Sequence, residues 1–291
     1  MMNIPVSHFH SWERFSESEL AAMLGEFAEY GLRLISLNSG TCARLSEEAG
    51  YRAQLQRECR SAGMAVLNCH APHMPGWELN SPDGAVLKRH LRLLDSYAEL
   101  GCETVTVHAG TNDGGEPLTV LRERTARSLE ALIRRAETLG MVIVLENTIF
   151  PTDTPAELLG YLKRFRCDAF GICFDAGHAN LMDGTPGKRS ADMIEWIRRR
   201  WNGEVRFEAD TLGRLLPDVV SCHLHDNDGR DDRHWLPGEG AIDWRRLLAR
   251  LERAPRLRSL QNESEHFKYG IAPRRIADCF EKLLEKNAVA V

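Results

Sequence analysis

The sequence lacks the features of membrane, secreted and disulfide-rich proteins. No apolar run approaches the ~20 residues that a membrane span needs. Residues 1–15 contain no basic segment followed by an apolar one, so we expect no signal peptide and a cytoplasmic protein. The eight cysteines form no Cys-x-x-Cys pair. In a cytoplasmic chain such scattered cysteines are expected to be reduced and mostly buried.

The sequence also lacks the motifs and the charge of several functional classes. No Gly-x-Gly-x-x-Gly follows the first β-rich run and no nucleophile elbow is present, so hydride transfer and serine hydrolysis have no support. The net charge of −5 disfavours a general attraction to nucleic acid, whose phosphates need neutralisation by Lys and Arg. A hydrophobic content of 43% is sufficient for a large core. We therefore expect a globular protein that binds neither nucleic acid nor a membrane.

Short β-rich runs alternate with longer amphipathic stretches along the chain. The eight predicted strands cover 3–9, 32–38, 64–70, 103–108, 141–146, 170–175, 219–225 and 257–263. The clearest helical patterns cover 17–30, 47–62, 84–100, 118–139, 155–165, 190–201, 243–253 and 273–286. Segment 202–217 is the least regular and has room for another short helix. The strands are almost continuously apolar, which is typical of a parallel sheet covered on both faces.

Residues typical of helix ends support this alternation. Thr154 and Pro155 predict a helix start. Four glycines follow predicted helices, where a left-handed cap needs no Cβ: Gly31, Gly63, Gly101 and Gly140. Eight strand–helix units predict a (β/α)₈ barrel, the TIM-barrel architecture, as a single domain over residues 1–291. The alternative, an open doubly wound sheet, usually has a glycine-rich first turn, which is missing here.

Metal-capable side chains stand at or just beyond the ends of the later strands. They are His70, His108, Glu146, Asp175, His178, His223, His225 and Glu263. The C-terminal ends of barrel strands converge on one mouth, so these distant residues should meet there. Imidazole and carboxylate groups are suitable ligands for Zn²⁺ or Mn²⁺. A single histidine at a strand end is more often structural, but eight such residues at the same end favour a metal site.

Some of these positions carry more information than others. Glu146 follows the apolar run MVIVL and Asp175 follows FGICF, and a carboxylate there is rarely buried without a partner. His225 lies on the same strand face as His223. We expect one of these two histidines to bind metal and the other to support it or to contact substrate.

Loop residues extend the predicted mouth. Asp232 and His234 lie in the polar loop after the seventh strand, and Glu265 is an alternative to Glu263. Trp77 is a candidate for stacking on a sugar, although a core or surface role is at least as common for a tryptophan. The segments at the first two strands offer further residues for a compact polar pocket, and Trp12 is the second stacking candidate: His8, His10, Trp12 and Asn38.

Seven segments together resemble the xylose isomerase-like TIM-barrel superfamily. They are NCHAPH, VTVHAG, VLENT, FDAGHAN, CHLHD, DRHWLPGEGAIDW and QNESE, and they occur in the family's order between residues 64 and 265. The superfamily includes sugar isomerases and epimerases, inosose dehydratases, hydroxypyruvate isomerases and type-IV apurinic endonucleases. Each segment alone is a weak signal, whereas the combination is specific.

The resemblance implies a ligand set for the predicted metal. In the isomerases and epimerases one divalent ion, Mn²⁺, Zn²⁺, Co²⁺ or Mg²⁺, would be held by Glu146, Asp175, His223 and Glu263. Glu146 and Glu263 would also be the catalytic proton carriers. The substrate would be contacted by His178, His70, His108, His225 and Trp12. The endonucleases imply three zinc ions held by the same tetrad with His70, His108, His178, Asp232 and His234, so the number of metal ions stays open.

Several functions remain compatible with these residues. The first hypothesis is a metal-dependent isomerase or epimerase of a sugar, a cyclitol or a related hydroxy-carbonyl compound, acting through an enediolate. A keto-cyclitol dehydratase would share the first step. A zinc-dependent apurinic endonuclease is the alternative, but segment 71–80, APHMPGWELN, has no counterpart of the bulky DNA-probing loop. A catalytically inactive barrel that binds a small polyol is a further hypothesis, and a homo-oligomer is left open.

Overall fold

Eight parallel strands close into a barrel. The computed structural model describes residues 4–10, 16–73, 75–112 and 115–285. The strands are β1 Val6–His10, β2 Leu34–Leu37, β3 Ala65–His70, β4 Thr104–Val107, β5 Val142–Glu146, β6 Phe170–Asp175, β7 Val219–Leu224 and β8 Ser259–Asn262. Each pairs with the next along the chain, and β8 pairs with β1. The predicted (β/α)₈ barrel is confirmed.

Helices surround the barrel in the order that the sequence predicts. They are α1 Glu17–Glu29, α2 Ser39–Glu47, α3 Tyr51–Ala62, α4 Gly84–Leu100, α5 Leu118–Leu139, α6 Pro155–Arg164, α7 Ala176–Leu181, α8 Ala191–Trp201, α9 Thr211–Leu215, α10 Trp244–Leu251 and α11 Pro273–Glu285. Short 3₁₀ turns cover Pro151–Asp153 and Leu216–Asp218. The short helix expected within 202–217 is α9, whereas α2 and α7 were not predicted because each is short and follows its strand directly.

The predicted helix ends are confirmed. Thr154 caps α6, since its hydroxyl accepts a hydrogen bond from the backbone N–H of Glu157. Gly63 and Gly101 end α3 and α4 with φ of 63° and 88°. These left-handed values are energetically unfavourable for any residue that has a Cβ atom. Gly31 and Gly140 are also left-handed. These caps let each helix stop and return the chain to the next strand.

The interior of the barrel contains a polar layer. Its members, which we call the interior polar layer, are Ser7, Ser36, Asn68, Thr104, Ser259 and Gln261, all buried. Ser7 donates to Asn68 Oδ1 at 2.6 Å, and Asn68 Nδ2 donates to Thr104 at 2.5 Å and to Ser259 at 3.1 Å. The apolar core lies mainly outside this layer, between the strands and the helices.

Most of the cysteines are buried, as the sequence predicts. All eight cysteines are free, and all but Cys167 and Cys279 are buried. Within the described ranges, none of the helices is both long enough and apolar enough to cross a membrane.

Candidate metal centre

Glu146 lies at the centre of the barrel mouth. It ends β5 and is 1% exposed. Its Oε2 atom lies 3.2 Å from His70 Nε2, 3.1 Å from His108 Nε2 and 3.2 Å from His223 Nδ1. Burial alone would raise the pKa of Glu146, but His223 and His108 hold that pKa well below its ordinary value. A buried, ionised carboxylate therefore joins side chains from several strands.

Four side chains, one of which is Glu146, converge at the ends of neighbouring strands. His223 Nδ1 lies 3.2 Å from Glu146 Oε2, 3.7 Å from Asp175 Oδ2 and 3.3 Å from Glu263 Oε2. Neither His223 Nδ1 nor Glu263 Oε2 has a hydrogen-bond partner among the described residues. We call Glu146, Asp175, His223 and Glu263 the tetrad. It is the ligand set that the family resemblance implied for one divalent ion.

A second group of ligand atoms forms where α7 faces the loop after β7. His178 Nε2 lies 3.5 Å from Asp232 Oδ2, and His234 Nε2 lies 3.3 Å from the same oxygen. Burial opposes protonation of His234, but Asp232 outweighs burial and raises the pKa of His234 to about 10. One ligand atom from each of the three residues lies within 4.8 Å of the others. The Asp232 carboxylate is therefore balanced by the protonated imidazole of His234.

His225 supports the tetrad from the side. Its Nε2 atom lies 3.1 Å from Asp175 Oδ2, and its ring stacks on that of His234 at 3.7 Å between centroids. Gly177 allows this position, because a Cβ there would lie 2.0 Å from His225 Cε1. His225 therefore belongs to the site through Asp175 and His234.

Asp226 was missed in the sequence although it directly follows His225. It is fully buried and accepts hydrogen bonds from Gly238 N at 2.8 Å and from Trp244 Nε1 at 2.7 Å. Its backbone pairs with Trp235 in both directions. Asp226 thus holds the loop that carries Asp232 and His234 over the mouth.

A cavity of about 560 Å³ opens above the tetrad. Glu263, whose side chain is 15% exposed, lines it, whereas Glu146 is not among the lining residues. Other lining residues come from β1, β3 and the segments after β2, β3, β7 and β8, among them Phe9, Asn38, His70, His73, His234 and Lys268. The predicted pocket residue Asn38 and the expected ligands His70 and His234 thus share one cavity.

Comparison with known proteins identifies the family. The model of the xylose isomerase-like TIM barrels matches residues 6–256. The chain belongs to the xylose isomerase-like TIM-barrel family. It is 25% identical to fructoselysine 3-epimerase of Escherichia coli O157:H7 over 208 residues, 69% of this chain and 68% of that protein. The chain spans about half the length of other curated relatives that it matches.

Solved structures of other proteins have the same fold. A D-tagatose 3-epimerase-like protein has a TM-score of 0.70 at 20% identity, with 98% of each chain covered. A Thermus thermophilus protein whose crystals were soaked with zinc chloride has a TM-score of 0.68 at 25% identity, with 97% of this chain and 99% of that chain covered. The barrel assignment thus extends over almost the whole chain.

The donor groups of the mouth fit a divalent metal. His234 Nδ1 lies 3.0 Å from the carbonyl oxygen of Glu263, and His70 Nδ1 lies 2.9 Å from that of Ala71. A carbonyl only accepts, so each Nδ1 donates its proton and each ring directs Nε2 at a carboxylate oxygen. Metal-binding histidines in proteins have this arrangement. Together with the unpartnered atoms of His223 and Glu263, it shows that the residues fit a bound cation.

Other residues from the sequence prediction lie elsewhere. His8 packs against Phe280 at 5.4 Å between ring centroids, and burial lowers its pKa to about 3, so it faces α11 instead of the cavity. Trp77 packs against His90 at 5.3 Å and does not line the cavity. Glu265 lines the outer cavity and pairs with Lys268, outside the tetrad. Trp12 and the side chain of His10 lie outside the described residues.

Proposed function

We propose that this protein is a divalent-metal-dependent isomerase or epimerase of a sugar, a cyclitol or a related hydroxy-carbonyl compound. The observation that carries the proposal is the convergence of Glu146, Asp175 and Glu263 on His223 Nδ1, within 3.7 Å, at the base of a cavity of sugar-binding size. The relationship to a fructoselysine 3-epimerase supports it. A divalent ion in the tetrad would supply a positive charge for the oxyanion that develops when a carbon next to a carbonyl loses its proton.

The two glutamates are proposed to carry protons. Burial opposes ionisation of Glu263, but His223 and His234 outweigh it and hold the pKa of Glu263 well below its ordinary value. Glu263 is therefore ionised, lines the cavity and can accept a proton from substrate carbon. Glu146 is the proposed second carrier, which returns a proton. The adjacent imidazoles of His70, His108, His178 and His225 would bind substrate oxygens or position the carboxylates.

A zinc-dependent apurinic endonuclease remains a second candidate because of one observation. All nine positions implied by the endonucleases lie at the same mouth, and His178, Asp232 and His234 form a ligand group separate from the tetrad. The net charge of −5 favours the small-molecule function, because phosphate backbones are bound mainly by Lys and Arg. A keto-cyclitol dehydratase would use the same proton abstraction and then release water.

Two assays distinguish these functions. Metal-loaded protein is incubated in D₂O with a panel of ketoses and keto-cyclitols, and deuterium incorporation and product stereochemistry are followed by NMR. The same protein is incubated with an abasic oligonucleotide duplex. We expect exchange into at least one panel member, lost in Glu263→Gln, and no incision. Efficient strand incision without exchange would replace the proposal with the endonuclease function.

A further inference from the structure

The side chain of Asn147 joins the ends of β5 and β6. Asn147 directly follows Glu146, the last residue of β5, and is 2% exposed. Its Nδ2 atom donates to the backbone carbonyl oxygen of Asp175 at 3.0 Å, and its Oδ1 atom accepts from the backbone N–H of Asp175 at 2.9 Å. A single side-chain amide thus binds both backbone groups of the residue that ends β6.

These two hydrogen bonds continue the pairing of the two strands beyond its last backbone pair. The register of β5 and β6 ends with Glu146 opposite Cys173, two residues before Asp175. An asparagine side chain has the donor and the acceptor of a peptide group, so it can take the place of one more strand residue. An ionised aspartate would offer no donor, and alanine would offer neither group. The arrangement therefore depends on the amide and not only on the size of the side chain.

The carboxylate of Asp175 is held separately by α7. Asp175 is fully buried and caps this helix, because its Oδ1 atom accepts from the backbone N–H of His178 at 2.6 Å. Its Oδ2 atom lies 3.7 Å from His223 Nδ1. Since Asn147 binds the backbone of Asp175 and α7 binds Oδ1, the direction of Oδ2 toward His223 is fixed.

We propose that Asn147 is a positioning residue, which sets the separation between the carboxylates of Glu146 and Asp175 that a divalent ion requires. The inference rests on the proposed function, in which the tetrad binds that ion. Glu146 is the chain neighbour of Asn147 and Asp175 is its hydrogen-bond partner, so the Asn147 side chain links two of the four tetrad residues. The effect on the ion is indirect, because the amide of Asn147 bonds to the backbone of Asp175 and not to its carboxylate.

Cobalt binding by the full chain tests this role. Protein stripped with a chelator is titrated with Co²⁺, and binding is measured by equilibrium dialysis and by visible absorption, with His223→Ala identifying the absorption bands of the tetrad ion. We expect Asn147→Ala to bind this ion at least about tenfold more weakly, as is typical when a group that orients a metal ligand is removed. Asn147→Asp should shift the absorption bands, because its carboxylate cannot donate to Asp175 and the coordination geometry changes.

Asn68→Ala is the matched control. Asn68 is also a buried asparagine with side-chain hydrogen bonds, but it lies in the interior polar layer. Asn68→Ala should therefore keep the cobalt affinity and the absorption bands of wild type even though it lowers the free energy of unfolding. Circular dichroism verifies that each variant is folded. Asn147→Asp keeps the size of the side chain and serves as the test if Asn147→Ala does not fold.

The outcomes for wild type and for the variants separate this inference from the proposed function. Wild-type affinity in folded Asn147→Ala, or wild-type bands in Asn147→Asp, would overturn the positioning role, as would an equal loss of affinity in Asn68→Ala. Wild-type protein that binds no cobalt would contradict the proposed function itself, and the role of Asn147 with it.

Discussion

The interior polar layer and the mouth above it are both built from buried polar side chains, yet they differ in how these are satisfied. In the interior polar layer, neutral groups bond to one another: Ser7 to Ser36 at 2.8 Å, Ser36 to Gln261 at 2.9 Å and Ser7 to Asn68 at 2.6 Å. At the mouth the groups are ionisable, and several atoms lack partners among the described residues: His223 Nδ1, His225 Nδ1, Asp232 Oδ1 and Glu263 Oε2.

This difference in hydrogen bonding distinguishes polar groups that stabilise the barrel from polar groups that are suited to bind a ligand. The interior polar layer also leaves Gln261 Nε2 without a partner among the described residues, and nearby Ser221 Oγ has none there, but these atoms belong to neutral groups. Ionisable atoms that are buried without a hydrogen bond have a much larger desolvation cost. His223 Nδ1 and Glu263 Oε2, which lie 3.3 Å apart without a hydrogen bond, therefore favour a charged ligand, whereas a network of neutral hydroxyls and amides favours a stable barrel.

The largest effect is expected for Glu146→Gln. The amide keeps the shape of the side chain but cannot carry a proton or balance the imidazoles, so turnover on the exchanging substrate should fall about 1,000-fold. Activity is measured at saturating metal, and metal content by elemental analysis. Glu265→Gln, at the rim of the cavity, is the control and should remain close to wild type. Near-normal turnover of Glu146→Gln would contradict its role as a proton carrier.

Asp153 is a buried carboxyl group outside the tetrad, and its pKa is shifted in the opposite direction from those of Glu146 and Glu263. Its oxygens accept from Ala109 N at 2.9 Å and from Thr148 Oγ1 at 3.1 Å, and burial raises its pKa from 3.8 to about 7. A raised folded-state pKa stabilises the protein below pH 4, and this contribution is lost as the pH rises through 7. The contribution of Asp153 to the free energy of unfolding is about 4 kcal/mol, at ~1.4 kcal/mol per pKa unit.

Replacement of Asp153 by Asn should therefore change the pH dependence of stability. The free energy of unfolding of Asp153→Asn, relative to wild type, should increase by about 4 kcal/mol between pH 4 and pH 8. Urea unfolding at a series of pH values measures the difference. A difference independent of pH would mean that Asp153 is ionised throughout this range.

The smallest effect is expected in the interior polar layer. Asn68→Ala removes hydrogen bonds to Ser7, Thr104 and Ser259 and should lower the free energy of unfolding by about 2–3 kcal/mol. The metal content should stay at the wild-type value, because no ligand atom is changed. Loss of bound metal from folded Asn68→Ala would remove the distinction between the interior polar layer and the mouth.

The order of strands and helices could be predicted from the sequence because apolar periodicity and helix ends are local properties. The convergence of Glu146, Asp175, His223 and Glu263 could be predicted once the barrel was recognised, since parallel strands bring their C-terminal ends to one mouth. His73 was not predicted, because it lies in a loop beyond β3, and loop conformation follows no simple period.

In the first strand, the direction of each side chain could not be predicted from the sequence. His8 and Phe9 both suit a barrel strand, and either could face the mouth. The parallel register, with His8 opposite Ile35, turns Ser7 and Phe9 inward and directs His8 to α11. Because neighbouring residues of a strand face opposite sides, a shift of one residue would exchange them.

The architecture, the family and the ionisable residues available at the mouth follow from the sequence, because they depend on composition, periodicity and order along the chain. Which atoms meet follows from the packing of the folded chain. This packing brought His223 Nδ1 to three carboxylates, directed His70 Nε2 at Glu146 and placed His73 beside His108. These contacts depend on strand register, rotamers and the loop held by Asp226, which are set by packing and hydrogen bonds between residues far apart in the chain.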